Sequence, residues 1–448
     1  MRFFDHRTAH SRRTGSHIAL AIALVTGGAV GAAGFAEPAY AQKKKKKKKD
    51  DEEAKPNYTK EFIAVYQPVN ELVQSPTPDA AAIKAGIPSV VAAVTNPDER
   101  MVAGSLQYTA GQKTSDMALQ FAGAAMMLES GKVPPENIGQ YNFIAAQLAY
   151  QLQNFSDARK YGIAAIDAGY TSNSPEIFVA ESFLADNQAT QGLEYLSSAI
   201  QRRIDNGQEV DESWIKRGLG IAFNANLGPQ AAQFGYWFAK QYPSADSWGD
   251  AIAVVRNFGD LNAADTLDLI RLTRRTDTFR TRHEFHDYVE AADPRRLPGE
   301  VVAVIDQGYG SGLLSKDDLF IADAYTMAKE RAESDRRDLA SLEADAGAAG
   351  AALNIVVAAG DAFLNYDQPA KAERFYTKAL GMPGVNAEVV GTRLGIAQFD
   401  QGKYAEAQET FAGISGVRKN IARLWATYAE QQDGEAPTAV EADTAVTG

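Results

Sequence analysis

The stretch EVVGTRLGIAQFDQGKYAEAQETFAGI, residues 388–414, decides the fold. Its apolar and small residues keep helical spacing on both sides of a turn, Gln401-Gly402-Lys403-Tyr404. Two short helices folding back there would bring Gly395, Ala407 and Phe411 together. The same set stands 35 residues earlier as Gly360, Ala372 and Tyr376. In that earlier unit Val356, Ala359, Gly360 and Phe363 share one helical face, and Ala372, Phe375, Tyr376 and Ala379 share another. Between them, Asn365-Tyr366-Asp367-Gln368-Pro369 extends neither helix, because proline lacks a donor and restricts its neighbour. Further upstream Ala146, Ala158 and Ala165 recur 34 residues on as Ala180, Gly192 and Ala199, and Trp214 and Trp248 are also 34 apart. One such pair cannot bury its apolar face alone, so neighbours must stack on it. The sequence therefore predicts an all-α fold, an α-solenoid of stacked antiparallel helix pairs. No stretch alternates at period two for long enough to predict a strand.

The small residue in the first helix, the alanine and aromatic in the second, and the repeat length resemble the tetratricopeptide repeat (TPR). Residues 388–414 fit best, departing at Gly391, where a large residue is usual, and at Ile414 in place of alanine. Residues 139–170 and 173–200 keep the small positions without the full aromatic set. Residues 211–243 carry Trp214 and Gly218, then two extra residues before Ala232, Tyr236 and Ala239. Residues 247–271 keep Trp248 and Ala264 but place Asp268 and Arg271 where an aromatic and an alanine belong. The resemblance implies a TPR-like superhelix whose first helices line a concave surface for a protein or peptide partner. Carried over position by position, that surface would hold Gln140, Phe143, Gln147 and Tyr150, then Ile177, Glu181 and Leu184, then Thr392, Ile396 and Phe399. Phe143 and Tyr150 can equally be read as packing against a neighbouring helix. Some family members clamp chaperone tails with a lysine/asparagine/arginine set, but only isolated Lys216 and Arg393 fall at related positions, so that ligand is not expected.

The chain has 448 residues, a formal net charge of -12 and no cysteine. An acidic body disfavours phosphate backbones, so no nucleic-acid partner is expected. Without cysteine, disulfides, thiolate nucleophiles and cysteine zinc sites are excluded. The N-terminus reads as an export signal: a basic segment to His17, an apolar one from Ile18 to Ala36, then Glu37-Pro38-Ala39-Tyr40-Ala41 with cleavage after Ala41. An uncleaved anchor is the alternative, and Ser11-Arg12-Arg13 only partly matches a twin-arginine signal. No later apolar stretch is long enough to span a bilayer, so a soluble periplasmic protein is expected. Lys43–Lys49 then form a solvated spacer or dock weakly on an anionic envelope surface.

The resulting organisation is a signal peptide (1–41), a charged spacer (42–57), helical degenerate repeats (58–138), TPR-like repeats (139–275), further degenerate repeats (276–352), TPR repeats (353–430) and an acidic disordered tail (431–448). The chemistry-bearing residues are sparse. His283, His286, Asp287 and Glu290 share a helix face and could offer metal ligands, but the histidines are three apart, not the four of H-E-x-x-H; a solvated face of histidine-carboxylate pairs is the reading adopted, with the metal-dependent module as alternative. Gly308-Tyr309-Gly310-Ser311-Gly312 lacks the frame of a phosphate loop or nucleophile elbow and reads as a turn. Arg271, Arg274, Arg275, Arg280 and Arg282 form a basic run that neutralises neighbouring carboxylates or meets an anionic partner. No cofactor and no catalysis are expected; the reading is a protein-binding scaffold, with a surface-attached structural protein as alternative.

Overall fold

The computed structural model describes residues 56–435. The expectations for the leader, for Lys43–Lys49 and for the tail beyond Glu435 lie outside those residues. The described chain is α1 (Lys60–Gln74), α2 (Ala80–Ala92), α3 (Pro97–Lys113), α4 (Met117–Glu129), α5 (Pro135–Gln151), α6 (Phe155–Asp167), α7 (Pro175–Ala185), α8 (Ala189–Asp205), α9 (Glu212–Asn224), α10 (Gly228–Gln241), α11 (Ala245–Phe258), α12 (Ala263–Arg275), α13 (Arg282–Ala292), α14 (Pro298–Gly310), α15 (Leu319–Gly347), α16 (Leu353–Asn365), α17 (Pro369–Leu380), α18 (Ala387–Phe399), α19 (Tyr404–Ala412) and α20 (Lys419–Glu435). A 3-10 turn, Gly416–Arg418, precedes α20, and no strand occurs among the described residues. From α1 to α7 and from α9 to α20 neighbouring helices pack in sequence order, as in an all-α solenoid of helix pairs. Two compact units emerge, one ending at Leu196 and one beginning at Ser197.

One backbone device closes six of the hairpins. Ser115, Gln153, Asn187, Asn226, Asp367 and Gly402 each adopt positive φ just after a first helix. In each case that residue's N–H donates to the carbonyl three back and the next residue's N–H to the carbonyl five back, as in Gln153 to Tyr150 and Asn154 to Ala149. This is the Schellman arrangement, which satisfies orphan carbonyls and reverses the chain in one residue. Its presence after α3 makes α3 and α4 a repeat of the same kind, although the side-chain pattern there is degenerate.

Glycine and ring set the approach of the paired helices. A Cβ on Gly360 would lie 2.5 Å from the Tyr376 ring, one on Gly395 2.6 Å from Phe411, and one on Gly218 2.1 Å from Phe234. All three partners stand sixteen residues downstream. The third case corrects the sequence reading of residues 211–243: no two-residue insertion is needed, because Phe234, not Tyr236, fills the aromatic position. Tyr236 is half-buried and takes the Arg423 guanidinium 3.4 Å over its ring. Ala146, Ala158, Ala165, Ala180, Gly192, Ala199, Trp214, Gly218, Gly360, Ala372, Tyr376, Gly395, Ala407 and Phe411 are all buried.

Two features lay outside the sequence pattern. Within residues 276–352, α13 and α14 are followed by one 29-residue helix, α15, instead of another short pair. In the second unit the array closes on itself: α20 packs on α10, α11 and α12, and α18 packs on α12. A single apolar cluster there contains Trp248, Leu272, Phe363, Phe399 and Trp425. α20 also runs through Gln431, whose amide donates to the Ala239 carbonyl, so the helix extends past the point where the tail was expected to begin.

The first unit is anchored at its start by a buried carboxylate. Glu99 accepts from the backbone N–H and hydroxyl of both Thr59 and Thr95, at 2.7 Å each, tying the residues before α1 to the start of α3. Burial pushes this carboxyl up, but the four hydrogen bonds outweigh it and bring it down to about 2. A depressed pKa gives stability that is complete above the ordinary value of 4.5 and is lost as pH falls toward 2. Glu99→Gln should cost about 2 kcal/mol at neutral pH and flatten the acid limb of the urea-unfolding profile. Equal midpoints for the two proteins at pH 7 would remove Glu99 from this role.

Candidate partner-binding surface

In the first unit, α3, α5 and α7 are the first helices of successive pairs. Contacts between them are side chain to side chain: Phe143 and Tyr150 of α5 both meet the Phe178 ring of α7, at 5.3 and 5.5 Å. Burial pushes the phenols of Tyr108 on α3 and Tyr141 on α5 up, and Tyr108 raises Tyr141 further.

Of the residues expected to meet a partner here, Gln140 is exposed, and Gln147, Tyr150, Ile177 and Leu184 are half-buried. Phe143 is 3% exposed, stacked on Tyr170 and edge-on to Phe178, and Glu181 is 8% exposed. Phe143 holds the helices together, and both residues present little to solvent. Tyr108, Tyr141 and Ile144 were not anticipated, yet they lie half-open on the same helices. Among the open positions of α5, Gln140, Tyr141, Ile144, Gln147 and Gln151 form one stripe at spacings of three, four and seven, with Glu136 exposed one turn before it.

The second unit treats the corresponding positions differently. Thr392 and Ile396 are wholly buried and Phe399 is 8% exposed. Phe399 packs against Tyr404, Trp425 and Tyr428, so α20 lies over the side chains that an open repeat would offer to a ligand. The expected C-terminal part of the binding surface is thus interior.

Beside the apolar cluster, that interior holds charge. Asp268 is fully buried and faces three arginines: Arg271 Nη1 at 2.7 Å, Arg418 Nη1 at 2.7 Å and Arg393 Nε at 3.3 Å. Arg271 also grips Glu300 with two bonds of 2.8 and 2.7 Å, Arg393 grips Asp361, and Arg418 lies 2.7 Å from Asp265. Tyr288 donates to Glu300, Tyr376 donates to Asp361, and the Trp425 indole donates to the Asp268 carbonyl. Burial pushes both carboxyls up, but the arginines pull them down further, Asp268 below its ordinary range and Glu300 to about 2. The guanidinium of Arg275 binds Asp400 through two nitrogens, and Arg280 binds Asp250 at 2.7 Å. Arg271, Arg275 and Arg280 of the basic run are therefore consumed internally, as the neutralising reading held.

His286 Nε2 lies 2.7 Å from Asp318, and the His283 ring stands 6.1 Å from the His286 ring. A shallow depression beside them is lined by Arg282, His286, Leu313, Ser315, Asp317 and Asp318. Among the described residues no group of three or more histidines and carboxylates converges as metal ligands would. Gly308 and Gly310 end α14, and Gly312 turns the chain at φ +75°. No described helix is long and apolar enough to cross a membrane. Compared with models of known protein families the chain matches none, and it matches no curated protein.

Proposed function

We propose that the chain is a tetratricopeptide-type scaffold, exported to the periplasm, that holds a protein or peptide partner on the first-helix face of its first unit and performs no chemistry of its own. The observation that carries this reading is the half-open stripe on α5, continued by Tyr108 on α3 and by Ile177 and Leu184 on α7. Apolar anchors flanked by amides suit protein recognition, where large side chains supply area and polar groups set orientation. The shared Schellman turn and the glycine-to-ring contacts support the family reading, since both repeat with the helix pairs.

The test places a photo-crosslinking residue at Gln147 and, as control, at exposed Lys160 on α6, in the native cell. Envelope fractions in which the chain starts at Gln42 should yield one dominant adduct from position 147. Ile177→Asp combined with Ile144→Asp should reduce it about tenfold, the loss of two anchors worth roughly 1 kcal/mol or more together. Equal adducts from both positions, or none, would sink the reading.

A further inference from the structure

We infer that the ligand of the first-unit face is an uncharged peptide segment in extended conformation, an inference that rests on the scaffold reading above. The protein is acidic and richly charged, with 23% Asp, Glu, Lys and Arg, yet this face is nearly devoid of charge. α5 has one charged residue in its 17, Glu136, confined to the first turn. Between Met101 and Gln112, α3 has none. On α7 the open residues Ile177 and Leu184 are apolar, the half-buried Glu176 is confined to the first turn, and the next half-buried position in line is Gln188. The one carboxylate in that line, Glu181, is 8% exposed and already has a partner.

A charged ligand gains nothing from such a face. Away from the helix ends, where Arg100, Lys113 and Glu136 are exposed, its ion would lose water and meet no counterion, which costs far more than leaving a neutral amide there. What the face does offer is amides: Gln140 exposed and Gln147 and Gln151 half-buried, with Gln112 bonded to Tyr108 and Gln188 already donating to Asp186. Each carboxamide both donates and accepts, as the peptide group does. Gln140 and Gln147 are seven residues apart on one helix, about 10.5 Å of rise. Three residues of an extended chain span about the same distance, so Gln140 and Gln147 can meet peptide groups three residues apart in one strand. Tyr141 and Ile144 lie between them and provide apolar contact for the intervening side chains.

The test pans a displayed library of random nonapeptides on the immobilised full chain. Enriched sequences should be depleted in Asp, Glu, Lys and Arg. Their affinity should change less than about twofold between low and high salt, since no ion pair is there to be screened. Gln147→Glu and Gln147→Lys, each checked for native helicity by circular dichroism, should both weaken the selected peptides about tenfold, because either charge is stranded against a neutral ligand. If one charge variant weakens binding and the other strengthens it, the ligand is ionic and the inference falls. Selection of charged peptides, or capture of a neutral oligosaccharide from a glycan array in place of any peptide, also overturns it. The crosslinking experiment separates the two levels. An adduct at position 147 together with charged selected peptides keeps the scaffold and discards the neutral ligand, whereas no adduct and no enrichment discards both.

Discussion

Asp268→Asn should loosen the closed half of the second unit, at a cost of about 3 to 5 kcal/mol, the range for removing one partner of a buried ion cluster. Three guanidiniums converge on this carboxylate, from α12, from α18 and from the turn before α20. The asparagine amide is close in size but supplies no charge, and its NH2 end would face arginine donors. The arginines do not suffer equally. Arg271 keeps Glu300 and Arg393 keeps Asp361. Arg418 keeps only Asp265, and its Nη2 already has no hydrogen-bond partner. The turn at Gly416–Arg418 and the start of α20 should therefore open first, and the Asp268 carbonyl that holds Trp425 should follow. Hydrogen exchange is expected to rise in α18, α20 and α12 while α3 to α6 stay protected, and urea unfolding should show the loss directly. Acid should reproduce part of it. Asp268 and Glu300 are depressed, so their contribution is complete above the ordinary carboxylate range and is lost as pH falls below it, that of Glu300 as pH falls toward 2. In Asp268→Asn that acid dependence should shrink. A variant within about 1 kcal/mol of the parent would mean that the cluster is merely tolerated, as buried ion clusters sometimes are.

The sequence made the helix pairs legible because their determinants are local. Gly395 and Phe411 are sixteen residues apart, and a turn signal between them is enough to bring them together. Closure of the second unit is not local. Arg393 and Asp268 are 125 residues apart, Lys240 and Glu430 190, and no periodicity carries that information. A trace was nevertheless present: Asp268 and Arg271 occupy positions where the repeat wants an aromatic and a small residue. A charged pair at a packing position needs buried partners, and it finds them across the closed interior. The misplacement of Thr392, Ile396 and Phe399 has the same origin, since a repeat read alone cannot know that α20 will cover it. For the first-unit face the legible signal was the first-helix positions of the repeat resemblance, which marked Gln147 and Tyr150 on α5 and Ile177 on α7. Tyr108 escaped because α3 lies where the small-and-aromatic pattern fades.

That faded region gives the sharpest contrast between propensity and packing. Gly123 is in the middle of α4, where replacing glycine by alanine should by helix propensity alone stabilise the protein by about 1 kcal/mol. Packing predicts the opposite sign. A Cβ at Gly123 would lie 2.4 Å from the Tyr108 nitrogen and 2.6 Å from the Gly104 carbonyl oxygen, and one at Gly104 would lie 2.8 Å from the Met127 nitrogen. These neighbours are backbone, whereas the obstacle beside Gly218 is the Phe234 side chain. The α3 and α4 backbones must separate, so Gly123→Ala should destabilise by about 3 kcal/mol, the upper part of the range for overpacked sites. Gly218→Ala, whose obstacle is a side chain, should cost less. Separation also moves Tyr108, so the variant should lose crosslinking at position 147 under conditions where α5 and α7 remain folded. A rise in melting temperature for Gly123→Ala would show that the helices are spaced more widely than the close approach of Gly104 and Gly123 implies, and would remove the glycines as the reason this repeat does without an aromatic.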